Sequence, residues 1–243
     1  MRKPLLLAAA GLMLATGVAA AQDLSRPGSS FDSKPRPGNW QNATARTERG
    51  HVIGNPDAEM RLVEFISYTC PHCADFAARG EPALDIVLLA PGKLTVEVRP
   101  VIRNGLDLAV TLLANCGDPA QFKTRHRALI LSQADWLGKA RAAPQSQQAI
   151  WQRGDKAGRQ NAASALGLTD MLAAKGQSRA ELDACVADDA AAKALLQNDE
   201  ADAKEFGVSS TPSFAMDGKL LAEVHSWEGL YPVLRERSMA GAN

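Results

Sequence analysis

Met60-Arg61-Leu62-Val63-Glu64-Phe65-Ile66-Ser67-Tyr68-Thr69-Cys70-Pro71-His72-Cys73 decides how the rest of the chain is read. Leu62, Val63, Phe65 and Ile66 form a short apolar run of the kind that makes a buried strand. From residue 71 to 90 the spacing turns helical, with Phe76, Leu84, Val87 and Leu88 on one face and Pro91-Gly92 as the stop. Pro82 lies inside this helix and is expected to kink it. Leu94 to Ile102 reads as a second strand, in which Leu94, Val96 and Val98 alternate with polar residues. Strand, helix, strand in this order is a βαβ unit, and the Cys70-Pro71-His72-Cys73 pair sits at its first strand–helix junction.

That position has chemical consequences. A cysteine attacks only as its thiolate, and a helix N-terminus lowers its pKa. Cys70 is expected to be the N-cap, with the free amides of residues 72 and 73 and the helix dipole favouring negative charge on its sulfur. Pro71 fits the first turn, where it forfeits no helical bond. His72, protonated or donating, brings a positive end to the same sulfur. Cys73, one turn in, is expected to be buried and to act as the resolving thiol. A stabilised thiolate stabilises the reduced pair, so the disulfide form becomes a willing oxidant. Other uses of the pair fit less well. Structural zinc calls for a second close pair, and Cys116 and Cys185 stand far apart. A c-type haem needs histidine directly after the second cysteine, and Ala74 stands there. A plain structural disulfide is the remaining alternative.

The 243 residues carry 27 basic and 27 acidic side chains, a balance that argues for neither nucleic acid nor an acidic membrane surface as partner. Arg2 and Lys3, the apolar run Leu5 to Val18 and the small residues Ala19-Ala20-Ala21 read as a secretory signal peptide over 1–21, cleaved after Ala21 or one residue earlier; an uncleaved membrane anchor, for which the run is short, is the alternative. Residues 22–48 are rich in Ser, Pro, Gly and Arg and read as a flexible extension whose strong anchors are Phe31 and Trp40. His51-Val52-Ile53 is a short extended piece before the turn Gly54-Asn55-Pro56-Asp57. Residues 104–206 hold no strand pattern and read as about five helices. One of these opens at the capping box Ser178-Arg179-Ala180-Glu181. Strand pattern returns at Ser213 to Met216, turns at Asp217-Gly218, resumes from Lys219 to Val224, and is followed by a closing helix over 227–239.

The four cysteines belong to a chain expected to leave the cytosol, where disulfides persist. Export favours a structural bridge between Cys116 and Cys185, closing a loop of about 70 residues; two free buried thiols are the alternative. Glu64 lies in an apolar strand six residues before Cys70 and is a candidate relay for the Cys73 proton; an exposed strand face is the alternative. His126 lies in the helical run Phe122-Lys123-Thr124-Arg125-His126 and is expected to be structural; His51 and His225 lie near strand ends without metal-ligand partners nearby in sequence, and none of the three is assigned a functional role. Trp136 and Trp151 are expected to pack helices.

The stretches Gly50-His51-Val52-Ile53-Gly54-Asn55-Pro56-Asp57-Ala58, Glu64-Phe65 and Cys70-Pro71-His72-Cys73 resemble the start of the DsbA family. Leu182-Asp183-Ala184-Cys185, Phe206-Gly207-Val208-Ser209-Ser210-Thr211-Pro212-Ser213-Phe214 and Asp217-Gly218 resemble its end. The resemblance covers about residues 49 to 237. It implies an α/β thioredoxin fold interrupted by an inserted all-helical domain, with 49–103 and 207–240 forming the thioredoxin-like part and 104–206 the insertion. It implies Cys70 as the attacking cysteine, Cys73 as its partner and Glu64 as the buried acid. Pro212 would be a cis-proline, with Thr211 offering backbone groups to substrate. It further implies a periplasmic enzyme that donates disulfides to unfolded or reduced exported proteins. A membrane quinone-linked reoxidase of the DsbB kind would recharge it, and no cofactor, metal or nucleic acid would take part. Thr211 stands where the best-known enterobacterial DsbA has valine; threonine is common in related isomerases and in other DsbA-like branches. An isomerase or reductase served by a reducing partner is therefore the second reading. A non-catalytic module holding metal or substrate through Cys70, His72 and Cys73 is the third.

Overall fold

The structure is a computed structural model and describes residues 39–240. The expected signal peptide and residues 22–38 of the expected extension lie outside the described residues. Six strands form one sheet: β1 (Thr44–Arg46), β2 (His51–Gly54), β3 (Met60–Ile66), β4 (Leu94–Pro100), β5 (Ser213–Met216) and β6 (Lys219–Leu220). Their order is β1-β2-β4-β3-β5-β6. β3 and β4 run parallel, joined by helix α1 (Pro71–Leu84); every other neighbouring pair is antiparallel. This is a thioredoxin sheet. Its central strand β3 carries Leu62, Glu64 and Ile66 on one face and Phe65 on the other, and all four are buried.

Between β4 and β5 the described residues hold eight α-helices rather than about five. They are α2 (Gly105–Ala114), α3 (Phe122–Leu131), α4 (Gln133–Ala142), α5 (Gln145–Gln152), α6 (Lys156–Ala165), α7 (Leu168–Ala173), α8 (Arg179–Ala187) and α9 (Asp189–Phe206). Breaks such as Leu131-Ser132-Gln133 turn the chain without Gly or Pro, so punctuation alone undercounts them. One apolar cluster runs from the sheet (Leu62, Val96) through α1 (Phe76) into these helices (Leu113, Leu129, Leu172). Helix α10 (Trp227–Ala240) closes the chain and adds Leu230 and Leu234 to that cluster.

Several local expectations differ from the structure. The extension does not remain free up to residue 48: Trp40–Asn42 form a 3-10 turn and Thr44–Arg46 become β1, paired with β2. The sheet edge supplies backbone partners that a polar composition does not reveal. Helix α1 passes Pro82 and then switches to a π-helical turn over Asp85–Leu89. The wider turn resets the register, so Val87 and Ile86 face solvent at 60% and 76% exposure while Leu88 and Leu89 turn inward. Ser178 is the N-cap of α8 but makes no side-chain capping bond. Glu181 instead lies against Gly117, beside the end of α2. β6 is two residues long rather than six.

Two features set the approach to β5. Asp202 on α9 is buried and accepts from Arg49 at 2.8 Å and Arg99 at 2.7 Å, tying α9 to β4 and to the β1–β2 turn. Phe206, the last residue of α9, packs on Phe65 with ring centroids 5.2 Å apart. Gly207 then ends the helix at φ 71°, a left-handed conformation that glycine adopts without steric cost. The chain is thereby aimed at Ser209–Pro212, which face the cysteine pair.

Candidate active site

Cys70 is the N-cap of α1, in extended conformation at φ −91° and ψ 117°, with Pro71 in the first helical turn. Its residue is only 3% exposed, and both Cys70 and Cys73 are free thiols. Cys70 Sγ lies 3.1 Å from the carbonyl oxygen of Thr211, and the Thr211–Pro212 peptide bond is cis. Cys70 is pulled from the ordinary thiol value of 9 down to about 4. A hydrogen bond from the Cys73 thiol contributes most, and burial opposes it; the Thr211 side chain and the amides of Cys73 and His72 add the rest. Neither amide makes a formal capping bond, but both turn their positive ends towards the sulfur. Cys73 goes the other way. It is buried, receives the Ser67 amide at 3.5 Å, and burial pushes its thiol well above the ordinary value. At neutral pH the pair is therefore one thiolate and one thiol.

The turn before Cys70 hangs on a residue in another element. Asp107 on α2 is fully buried, and its Oδ2 accepts from Ser67 Oγ at 2.6 Å, Thr69 Oγ1 at 3.3 Å and the Arg103 amide at 3.2 Å. Its Oδ1 accepts from the Tyr68 amide at 2.9 Å. Burial raises this carboxyl to about 6 despite those four donors. Gln133 on α4 donates to the carbonyls of Tyr68 at 2.7 Å and Cys70 at 2.9 Å. On the opposite wall, His225 Nδ1 lies 2.9 Å from the Pro212 carbonyl, so that nitrogen carries the proton. Asp107, Gln133 and His225 were not identified from the sequence. The one available signal was the lone carboxylate in the apolar run Leu106-Asp107-Leu108-Ala109-Val110.

Glu64 is buried, and burial, with Glu81 close by, holds its carboxyl well above the usual range. It lines a small cavity with Glu81, Asp85 and Lys123, and neither cysteine lines that cavity. Glu81 itself resists the effect of burial because His126, Arg127 and Lys123 hold it ionised. His126 bridges Glu81 at 2.8 Å and the Tyr68 hydroxyl at 2.9 Å. Cys116 and Cys185 are joined as a disulfide with Cα atoms 5.6 Å apart, linking the loop after α2 to α8. Among the described residues no group of three or more His, Cys, Asp or Glu is placed to hold a metal ion.

Beside Cys70 opens a cavity of about 250 Å³, lined by His72, Val101, Arg103, Ser209, Ser210 and Thr211. The arrangement can receive a peptide thiol or disulfide at Cys70 and keep the second sulfur in reserve behind it. A thioredoxin sheet with a low-pKa and a high-pKa cysteine facing the Thr211–Pro212 peptide is an arrangement suited to dithiol–disulfide exchange. The chain belongs to the thioredoxin family, whose model matches residues 46–236. The fold is DsbA-like. A crystal structure of a protein-disulfide isomerase from Novosphingobium aromaticivorans is 40% identical, with a TM-score of 0.73, over 76% of this chain and 95% of that one. Alpha-DsbA1 of Wolbachia pipientis has a TM-score of 0.61 at 16% identity over 79% of this chain and 94% of that one, a likeness of fold. A Rickettsia bellii protein described as a protein-disulfide oxidoreductase is 28% identical over 70% of this chain. The chain spans 58% of that relative's length.

Proposed function

We propose that this protein is an exported thiol:disulfide oxidoreductase of the periplasm, working as a disulfide donor. The observation that carries the reading is the opposite displacement of Cys70, to about 4, and Cys73, upward. In the disulfide form, a substrate thiolate attacks Cys70 Sγ and the Cys70–Cys73 bond breaks. Cys73 leaves and takes up a proton, giving a mixed disulfide between Cys70 and the substrate. A second substrate thiolate attacks the substrate sulfur of that bond and Cys70 leaves as its stabilised thiolate. The substrate has lost two electrons and two protons, and the Cys70–Cys73 pair has gained the electrons. The low pKa of Cys70 makes it the better leaving group in this last step. A membrane quinone-linked partner of the DsbB kind would take the electrons onward. Unfolded exported proteins are the substrates this reading implies, held along the Thr211 backbone.

A second reading, isomerase or reductase, is favoured by Thr211 before the cis-proline and by the isomerase name of the Novosphingobium neighbour. Reduced and scrambled ribonuclease assayed side by side separate the two. The donor reading expects rapid oxidation of reduced substrate by stoichiometric disulfide-form protein and little recovery of scrambled substrate. Efficient unscrambling with slow oxidation would replace it by the second reading.

A further inference from the structure

We infer that Arg103 selects substrates with an acidic side chain beside the reacting cysteine. This rests on the exchange activity proposed above and adds a substrate class to it. Arg103 is exposed, lines the cavity that opens next to Cys70, and shares it with His72. No carboxylate lines that cavity. Arg49 and Arg99, by contrast, hold Asp202, and Arg127 holds Glu81. Arg103 makes no ion pair among the described residues, so its guanidinium is free to meet an incoming charge.

Its root is nevertheless fixed. The Arg103 amide donates to the same Asp107 carboxylate that holds Ser67, Tyr68 and Thr69. The base of the Arg103 side chain and the base of Cys70 are thus held by one buried group. The cavity is also lined by the exposed residues Ser209 and Ser210, which run into Thr211, whose carbonyl lies 3.1 Å from Cys70 Sγ. A substrate whose sulfur reaches Cys70 along Thr211 must place a neighbouring side chain in this cavity. There it meets a planar, permanently charged fork suited to a carboxylate.

The test uses three dithiol peptides differing only in Glu, Gln or Lys beside the reacting cysteine. Their oxidation rates are measured with the disulfide form of the wild-type chain and of Arg103→Gln, Arg103→Lys and Arg103→Glu. Ratios between protein variants cancel each peptide's own thiol reactivity. The wild type is expected to favour the Glu over the Lys peptide by roughly three- to tenfold, relative to Arg103→Gln. Arg103→Lys should keep much of that preference, and Arg103→Glu should reverse it. The discrimination between the Glu and Lys peptides, taken as a ratio within each protein, should change in Arg103→Gln, whereas a merely structural role would slow all three peptides alike. Equal ratios in wild type and Arg103→Gln overturn the inference while leaving exchange activity standing. Failure of all three peptides to react in either direction overturns the exchange reading and the inference with it.

Discussion

Cys70 and Cys73 are three residues apart, and their thiols are displaced in opposite directions because Cys70 receives the Cys73 hydrogen bond at the start of the helix while Cys73 is enclosed by burial. Thr211 takes part in this. Its side chain is one of the groups that stabilise the Cys70 thiolate, a role valine cannot fill. Thr211→Val is expected to raise the Cys70 titration by roughly one unit, from the worth of a hydrogen bond to a charged group. Thiolate absorbance against pH checks it, and an unchanged midpoint would remove Thr211 from the account. The same displacement makes stability depend on pH. A thiol near 9 when unfolded and about 4 when folded favours the reduced fold fully above pH 9. That contribution shrinks as pH falls and is gone below about 4; at pH 7 it is on the order of 4 kcal/mol. The disulfide form has no such thiolate. The stability of the reduced form relative to the oxidised one should therefore drop as pH falls from 9 to 4, as read from denaturant unfolding of both.

At the scale of elements, α2 makes two connections. Through Asp107 it fixes the β3–α1 turn, and through the loop after its last residue it is bonded to α8. Asp107→Ala removes four accepted hydrogen bonds from a buried turn and should cost about 2–4 kcal/mol. It should also slow exchange at Cys70, whereas Asp107→Asn, which keeps an acceptor, should retain more of both. Loss of stability with no change in exchange rate would show the turn to be irrelevant to the nucleophile. The Cys116–Cys185 bridge is expected to act on stability alone. Replacing both by serine should cost about 4 kcal/mol for a loop with sequence separation 69, and leave the exchange rate per folded molecule unchanged. The elements that carry the cysteine pair were legible in the sequence, because apolar runs, Pro71 and Pro91-Gly92 are local signals. Asp107 and Gln133 were not, since their importance lies in contacts between elements far apart in the chain. Val87 was misplaced because a 3.6-residue period assumes an unbroken α-helix, and the π turn at Asp85–Leu89 breaks it. Trp40 to Arg46 read as an extension because pairing at a sheet edge depends on backbone groups, which composition does not report.

Across the whole molecule, the sheet and the helices between β4 and β5 share one apolar cluster, so the pair is held from both sides. β3 and α1 present Cys70; α2 and α4 clamp the turn before it; α9, pinned through Asp202, delivers Thr211 and Pro212 to its face. The outcome of this assembly is a thiolate at Cys70, and a stabilised thiolate favours the reduced pair. The equilibrium of the Cys70–Cys73 pair with a glutathione buffer at pH 7 measures that most directly. The account expects an oxidising pair, with a potential above about −200 mV. A value near that of thioredoxin, about −270 mV, would contradict it.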